Sequence, residues 1–223
     1  MIVANSLSRR YGSGNAEVVA LDSLSLEIDR GEKAAILGRS GSGKSTLLNL
    51  IAGLDSPSSG TISVNGKEPA KLGTDEKANF RLKEIGVVFQ SFQLIPQRTA
   101  FQNIELPLIL AGVPVLLRRK KVRELLKRIG LEKRSGHRPH QLSGGEQQRV
   151  SIARAMVNNP PVILADEPTG NLDTANAKGV MELMLEMVEA EGATLCLITH
   201  DMSLANEIAD RIITLQDGKL ADQ

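Results

Sequence analysis

A chain of 223 residues is long for one domain and short for two, and its 27 Lys plus Arg nearly balance its 26 Asp plus Glu. That balance lacks the basic excess of a nucleic-acid binder and argues against nucleic acid as the main ligand. The one cysteine, Cys196, forbids an intramolecular disulfide and suits a reducing compartment. The opening "MIVANSLSRR" has no signal-peptide apolar stretch. No apolar run approaches the roughly 20 residues of a membrane span, since "LPLILAGVPVLL" is interrupted by Pro107, Gly112 and Pro114. A soluble protein is expected.

In chain order, the first third reads as strands and turns, with Leu24, Leu26 and Ile28 alternating on one face of "LSLEI". Tyr11, the only tyrosine, precedes a "GSG" turn. Its ring could stack on an adenine or pack in the core, and the sequence leaves both open. The apolar "AAIL" then runs into "GRSGSGKST", that is Gly38, Arg39, Ser40, Gly41, Ser42, Gly43, Lys44, Ser45 and Thr46. This fits G-x-x-x-x-G-K-[ST] between a strand and a helix. The glycines let the loop curl so that its amides face the β- and γ-phosphates of a nucleotide. Lys44 adds a mobile positive charge, and Ser45 offers a hydroxyl to Mg²⁺. A helix from Thr46 should stop at Gly53, before the strand "TISV" and the turn "NG".

Gln90 closes the apolar strand "IGVVF". It is neutral and bifunctional, able to offer its carbonyl to Mg²⁺ while reporting the state of the helical segment that follows. Helical patterns fill residues 92–159, including "RRKKVRELLKRIGL". Its basic run Arg118, Arg119, Lys120 and Lys121 is expected to be a solvated helix face, with contact to anionic lipid headgroups as the alternative. His137 and His140 have no partners at metal-ligand spacing and read as loop residues. At residues 142–149, "LSGGEQQR" opens another helix on two glycines. Glycine is a poor helix former, so a ligand rather than folding is expected to require them. Ser143 and Glu146 have the spacing of a capping box, and the amides of such a helix end attract an anion.

Strand signals return with "VILAD", which delivers acids to the carboxyl edge of a sheet, where ligands sit in open α/β folds. Asp166 is suited to hold Mg²⁺ through water. Glu167 is expected to face the other way, because successive strand residues alternate, and to orient an attacking water as general base. A helix over 175–190 leads to "TLCLIT", where Cys196 reads as a small buried thiol. That strand ends at His200, at an edge position from which a γ-phosphate can be touched. With "RIITL" the alternation predicts a parallel α/β sheet interrupted by a helical insertion, without internal repeats.

Together these residues resemble the ATP-binding subunits of ABC transporters over nearly the whole chain. "GRSGSGKST" is similar to the Walker A motif, "VILADE" to Walker B and "LSGGE" to the family signature. Gln90 matches the Q-loop glutamine, His200 the switch histidine, Tyr11 the adenine-stacking aromatic, and "GNLD", ending at Asp173, the D-loop. The resemblance implies an α/β fold: a P-loop NTPase core with a mainly parallel sheet, an N-terminal antiparallel β subdomain and a helical insertion. A single domain over 1–223 is expected, with the core at 1–91 and 160–223 and a helical subdomain at 92–159 carrying the signature.

The implied cofactors are ATP and Mg²⁺. Catalytic roles fall to Glu167, His200, Gln90 and Lys44, and metal contacts to Ser45, Gln90 and Asp166. Nucleotide contacts fall to Tyr11, to the nine Walker A residues named above, and to Ser143, Gly144, Gly145, Glu146 and Asp173. Family members pair head to tail, which implies a homodimer in the ATP-bound state whose Ser143, Gly144 and Gly145 clamp the γ-phosphate held by the other copy.

"ADEPTGNLD", "VNNP" and "HRPHQLSGGE" are similar to the lipoprotein-releasing and macrolide- or peptide-exporting subgroup. A D-loop reading "GNLD" rather than Ser-Ala-Leu-Asp points away from nutrient importers. The resemblance implies a peripheral ATPase on the cytoplasmic face of the inner membrane, docked on integral permease subunits through the helical insertion near 92–117. A cell-division type that signals without transporting is the alternative. A DNA-repair or translation ATPase would need a long coiled-coil insertion or a second tandem copy, and the sequence shows neither. No appended regulatory domain or fused membrane segment is expected.

Overall fold

A computed structural model describes residues 1–12 and 14–221. Ser13 of the "GSG" turn, Asp222 and Gln223 lie outside the described residues. The chain forms two compact units, Met1–Arg81 with Thr194–Gln223, and Leu82–Ala193.

In the first unit, β1 (Ile2–Tyr11) lies between β2 (Val18–Ile28) and β4 (Ser59–Val64) in an antiparallel sheet. Leu24 and Ile28 are buried and Leu26 is half-buried, as the alternation predicts, while Ser25 and Glu27 between them are exposed. Asn65 and Gly66 take φ of 50° and 75°, the double left-handed geometry of a tight two-residue turn. β3 (Lys33–Leu37) runs parallel to both β7 (Thr194–Ile198) and β8 (Arg211–Gln216), and β9 (Lys219–Leu220) returns antiparallel on β8. β7 is buried throughout, which explains its unbroken apolar run. α1 (Lys44–Ile51) starts two residues before the predicted Thr46 and is followed by Gly53 at φ 62°, where the helix was expected to stop. Ala205 of the short α7 (Met202–Ile208) packs on Ala35 and Leu37 of β3.

Two helices go unread in the sequence, the seven-residue α7 and the longer α2 (Thr74–Glu84). α2 buries Phe80 alone, so it has no apolar stripe to reveal it.

In the second unit, β5 (Ile85–Phe89) pairs in parallel with β6 (Val162–Asp166). Around them lie α3 (Ala100–Leu110), α4 (Val115–Arg128), α5 (Gly144–Met156) and α6 (Thr174–Glu191). α5 is central, touching α3, α4, α6 and β5. It buries Val150, Ile152 and Met156, each worth about 1.5–3 kcal/mol relative to exposure. The fully buried Asn103 of α3 accepts from the Ile95 amide at 2.8 Å and donates to the Arg98 and Thr99 carbonyls at 3.1 and 3.0 Å, fixing the loop ahead of its own helix.

The basic run of α4 is less uniform than a solvated face. Arg118 donates to Glu105 at 2.8 Å and Lys121 to Asn159 at 2.9 Å, while Lys120 stays exposed. No helix among the described residues is long and apolar enough to cross a membrane.

Candidate functional site

Within the first unit, β3 ends at Leu37 and a six-residue loop hands the chain to α1. Gly43, the N-cap of α1, takes φ 102°, and a Cβ there would lie 2.4 Å from the Ala20 carbonyl oxygen, so both backbone and space demand glycine. This cap provides no side-chain hydrogen bond to the first turn, leaving the helix dipole and amides facing the loop. Lys44 is only 9% exposed, and its ammonium donates to the carbonyls of Gly38 at 2.7 Å and Arg39 at 2.8 Å. The charge is thereby folded over the loop. Arg39, Ser40 and Gly41 form the exposed crest, Ser42 is buried, Ser45 is exposed and Thr46 half-buried. Amides, one ammonium and hydroxyls make a donor set that fits a polyphosphate.

Tyr11 ends β1 with 37% of its surface exposed, so of the two readings left open, core packing is excluded. Its hydroxyl donates to Asp55 Oδ2 at 2.7 Å, and the Arg9 guanidinium stands 4.5 Å from the ring centre. Burial alone would raise the Asp55 carboxyl, but the Tyr11 hydroxyl, the Ser56 amide and Arg9 outweigh it and hold the group below its ordinary range. His200 is exposed, two residues past the end of β7. The turn that presents it is locked on both sides: the Asp201 amide donates to Thr199 Oγ1 at 3.0 Å, and Asp201 Oδ1 caps α7 by accepting from Ser203 and Leu204.

Within the second unit, the predicted capping box is present. Ser143 Oγ accepts from the Glu146 amide at 3.3 Å, and Glu146 Oε2 accepts from the Ser143 amide at 2.8 Å. The Ser143 amide is the main influence lowering the Glu146 carboxyl; burial opposes it, and the Ser143 hydroxyl, Arg134 and Arg149 assist it. Space is also tight at the two glycines behind the cap. A Cβ on Gly144 would sit 3.3 Å from Leu172, and one on Gly145 3.1 Å from the Asn176 side chain.

Side chains of α5 hold the neighbouring loops. The buried amide of Gln148 donates to the Phe89 carbonyl at 3.2 Å and also to the Pro168 carbonyl. Arg154 donates to the carbonyls of Gln93 and Phe92 at 2.6 and 3.0 Å, and those two residues are left-handed, with φ of 50° and 58°. Burial lowers the Arg154 pKa. Gln90, just past β5, is held by Asn171, whose Nδ2 donates to the Gln90 carbonyl at 3.0 Å.

Asp166 is the last residue of β6 and is half-buried. Glu167 is outside the strand. Its φ of 45° is left-handed, a conformation that costs of order 1–3 kcal/mol, so strand alternation does not apply to it. Asp173 caps α6, accepting from the Asn176 amide at 3.0 Å and side chain at 2.7 Å.

Gln148, Arg154 and Asn171 escaped sequence reasoning. Gln148 had a signal: it stands four residues before the buried Ile152 and three after Gly145, on the inward face, and a buried amide must find partners. As for metal, the Ser45 hydroxyl in one unit, and the Asp166 carboxylate and Gln90 side-chain carbonyl in the other, are oxygen donors of the kind a hard divalent cation takes.

A phosphate loop, a capped glycine-fronted helix and acids at a strand end define a P-loop nucleotide-binding protein. The ABC transporter family model matches residues 21–170, and the chain belongs to that family. It is 44% identical over 220 residues to the lipoprotein-releasing system ATP-binding protein LolD of Pseudomonas fluorescens, covering 99% of this chain and 96% of that protein. It is 47% identical to the macrolide export ATP-binding/permease protein MacB of Vibrio parahaemolyticus, covering 99% of this chain but only 33% of the relative. The chain thus spans about a third of the MacB relatives it matches. A solved dimeric ATP-binding cassette, MJ0796, in a post-hydrolysis state bound to ADP and Pi, superposes with a TM-score of 0.90 at 42% identity, over 100% of this chain and 97% of that one. The expected ABC ATPase fold is therefore the observed one.

Proposed function

We propose that the chain binds and hydrolyses ATP to power a membrane transport complex, working as a homodimer that closes head to tail on nucleotide. The observation that carries this is the loop of residues 38–46, where a buried lysine ammonium and a helix end lacking a side-chain cap converge. Tyr11 stacks on adenine, the Walker A residues Gly38 to Thr46 hold the phosphates, and His200 contacts the γ-phosphate. Glu167 takes a proton from water as its oxygen attacks the γ-phosphorus, and ADP leaves. Ser45, Asp166 and Gln90 would hold Mg²⁺, which, when bound, offsets phosphate charge. Ser143, Gly144, Gly145 and Glu146 present the α5 end, and Asp173 braces it through Asn176, whose side chain faces Gly145.

Similarity to LolD and MacB supports lipoprotein release or macrolide or peptide export as the work driven. The helical segment docks on permease subunits. Leu110, Leu116 and Leu117, at the junction of α3 and α4, are 67%, 84% and 60% exposed, an apolar patch that calls for cover. Such docking places the protein peripherally on the cytoplasmic face of the membrane.

Mixing a Ser40→Cys chain with a Gly144→Cys chain tests the dimer, since a disulfide between the two can form only across copies. Cys196 can stay, because burial pushes its thiol up to about 12. Crosslinking that requires ATP is expected. No crosslink under saturating ATP, with binding verified by dialysis, contradicts the head-to-tail arrangement.

A further inference from the structure

We propose that Arg9 and Asp55 are positioning residues that lock the Tyr11 ring before a base arrives, making the adenine subsite a preformed three-residue clamp. The inference rests on the stacking role given to Tyr11 above. An aromatic at the end of a strand, over a third exposed, would otherwise sample several rotamers and lose that freedom on binding.

Here the ring is held over its face and at its hydroxyl. Arg9 and Tyr11 are two apart on β1 and so share a face, and the guanidinium lies 4.5 Å from the ring centre, within cation–π range. The hydroxyl is tied to Asp55 at 2.7 Å. Asp55 is saturated: Oδ2 accepts from Tyr11 Oη and from Arg9 Nε at 2.9 Å, while Oδ1 accepts from Arg9 Nη2 at 2.8 Å and from the Ser56 amide at 2.7 Å. The two-pronged Arg–carboxylate pairing fixes orientation as well as charge. The anchor is itself anchored, since the Leu54 and Asp55 amides both donate to the Asn49 carbonyl in α1. One helix therefore starts with the phosphate-loop lysine and ends by holding the carboxylate that steers the base-binding ring.

Asp55→Asn places an amide NH₂ where only donors converge, so one corner of the clamp becomes repulsive. Tyr11→Phe keeps the ring and cuts its tether. Pre-organising one such side chain is worth about threefold to tenfold in affinity. Both variants should raise the ATP Kd by that factor and leave the Kd for inorganic tripolyphosphate, which has no base, unchanged. A role in general folding would weaken both ligands together.

Tyr11 is the only tyrosine and there is no tryptophan, so intrinsic emission reports the clamp without nucleotide. A carboxylate that accepts the excited phenol's proton quenches it. Asp55→Asn should brighten the emission and speed its anisotropy decay. Tyr11→Ala is the control for the underlying reading. If it weakens ATP while Asp55→Asn and Tyr11→Phe do not, or if tripolyphosphate weakens in step with ATP, the clamp is overturned. If Tyr11→Ala leaves ATP affinity untouched, the stacking role itself fails and the positioning role falls with it.

Discussion

Arg154 reaches from α5 to the carbonyl of Phe92 at 3.0 Å, and Phe92 is held there in a left-handed conformation that a bulky side chain rarely adopts. The same guanidinium also binds the Gln93 carbonyl, so two left-handed residues after Gln90 share one charged side chain. Arg154→Met keeps the packing stem and removes both bonds. Each charge-assisted bond is worth about 1.5–3 kcal/mol, so urea unfolding should show a loss of about 3–6 kcal/mol for the two. Amide exchange over residues 91–94 should rise well above that of the rest of the chain. Unchanged exchange would mean that the turn holds its shape without the arginine.

Gln148 joins the end of β5 to Pro168 through one buried amide. Gln148→Leu fits the space but takes a donor from two carbonyls, while Phe89 keeps the 3.4 Å bond from the Phe92 amide. Leaving a buried polar group unpaired costs about 1–3 kcal/mol, so a loss of that order is expected in chemical denaturation. Gln148→Glu should be worse, because a carboxylate would face two carbonyl oxygens. A glutamate variant as stable as the leucine one would contradict the assigned bonds.

What the sequence revealed follows from how local each feature is. The phosphate loop and the Ser143–Glu146 box are legible because residues close in the chain make them, and each position accepts few residue types. Arg154 and Gln148 were hidden because their partners are main-chain carbonyls 59 to 62 residues away along one branch and 20 along another, invisible to any side-chain pattern. The Tyr11–Asp55 bond spans 44 positions. The left-handed turn at Glu167 went unread because glycine, the usual marker of positive φ, is absent there.

Glu146 makes part of the stability pH-dependent. Its folded pKa lies below the ordinary 4.5, chiefly through the Ser143 amide. A carboxyl with a depressed pKa stabilises above its unfolded value, and the contribution is lost as pH falls through the folded one. The wild type should therefore lose stability on acidification below about pH 4.5 more steeply than Glu146→Gln, while above that pH the variant should be the weaker of the two. Parallel curves from pH 7 down to about 3 would remove Glu146 from the acid response.

Glu167→Gln tests the central claim, that ATP closes two copies and hydrolysis releases them. The substitution keeps size and hydrogen bonding and removes the basic carboxylate. A positioned general base contributes about 10²- to 10⁴-fold, so turnover should fall by roughly that factor while ATP stays bound. Removing one negative charge per copy near the bound phosphates also favours closure. Sizing chromatography with light scattering, run with ATP and again with ADP, should find the variant dimeric with ATP and monomeric with ADP. A variant that binds ATP, no longer hydrolyses it and remains monomeric would contradict the mechanism.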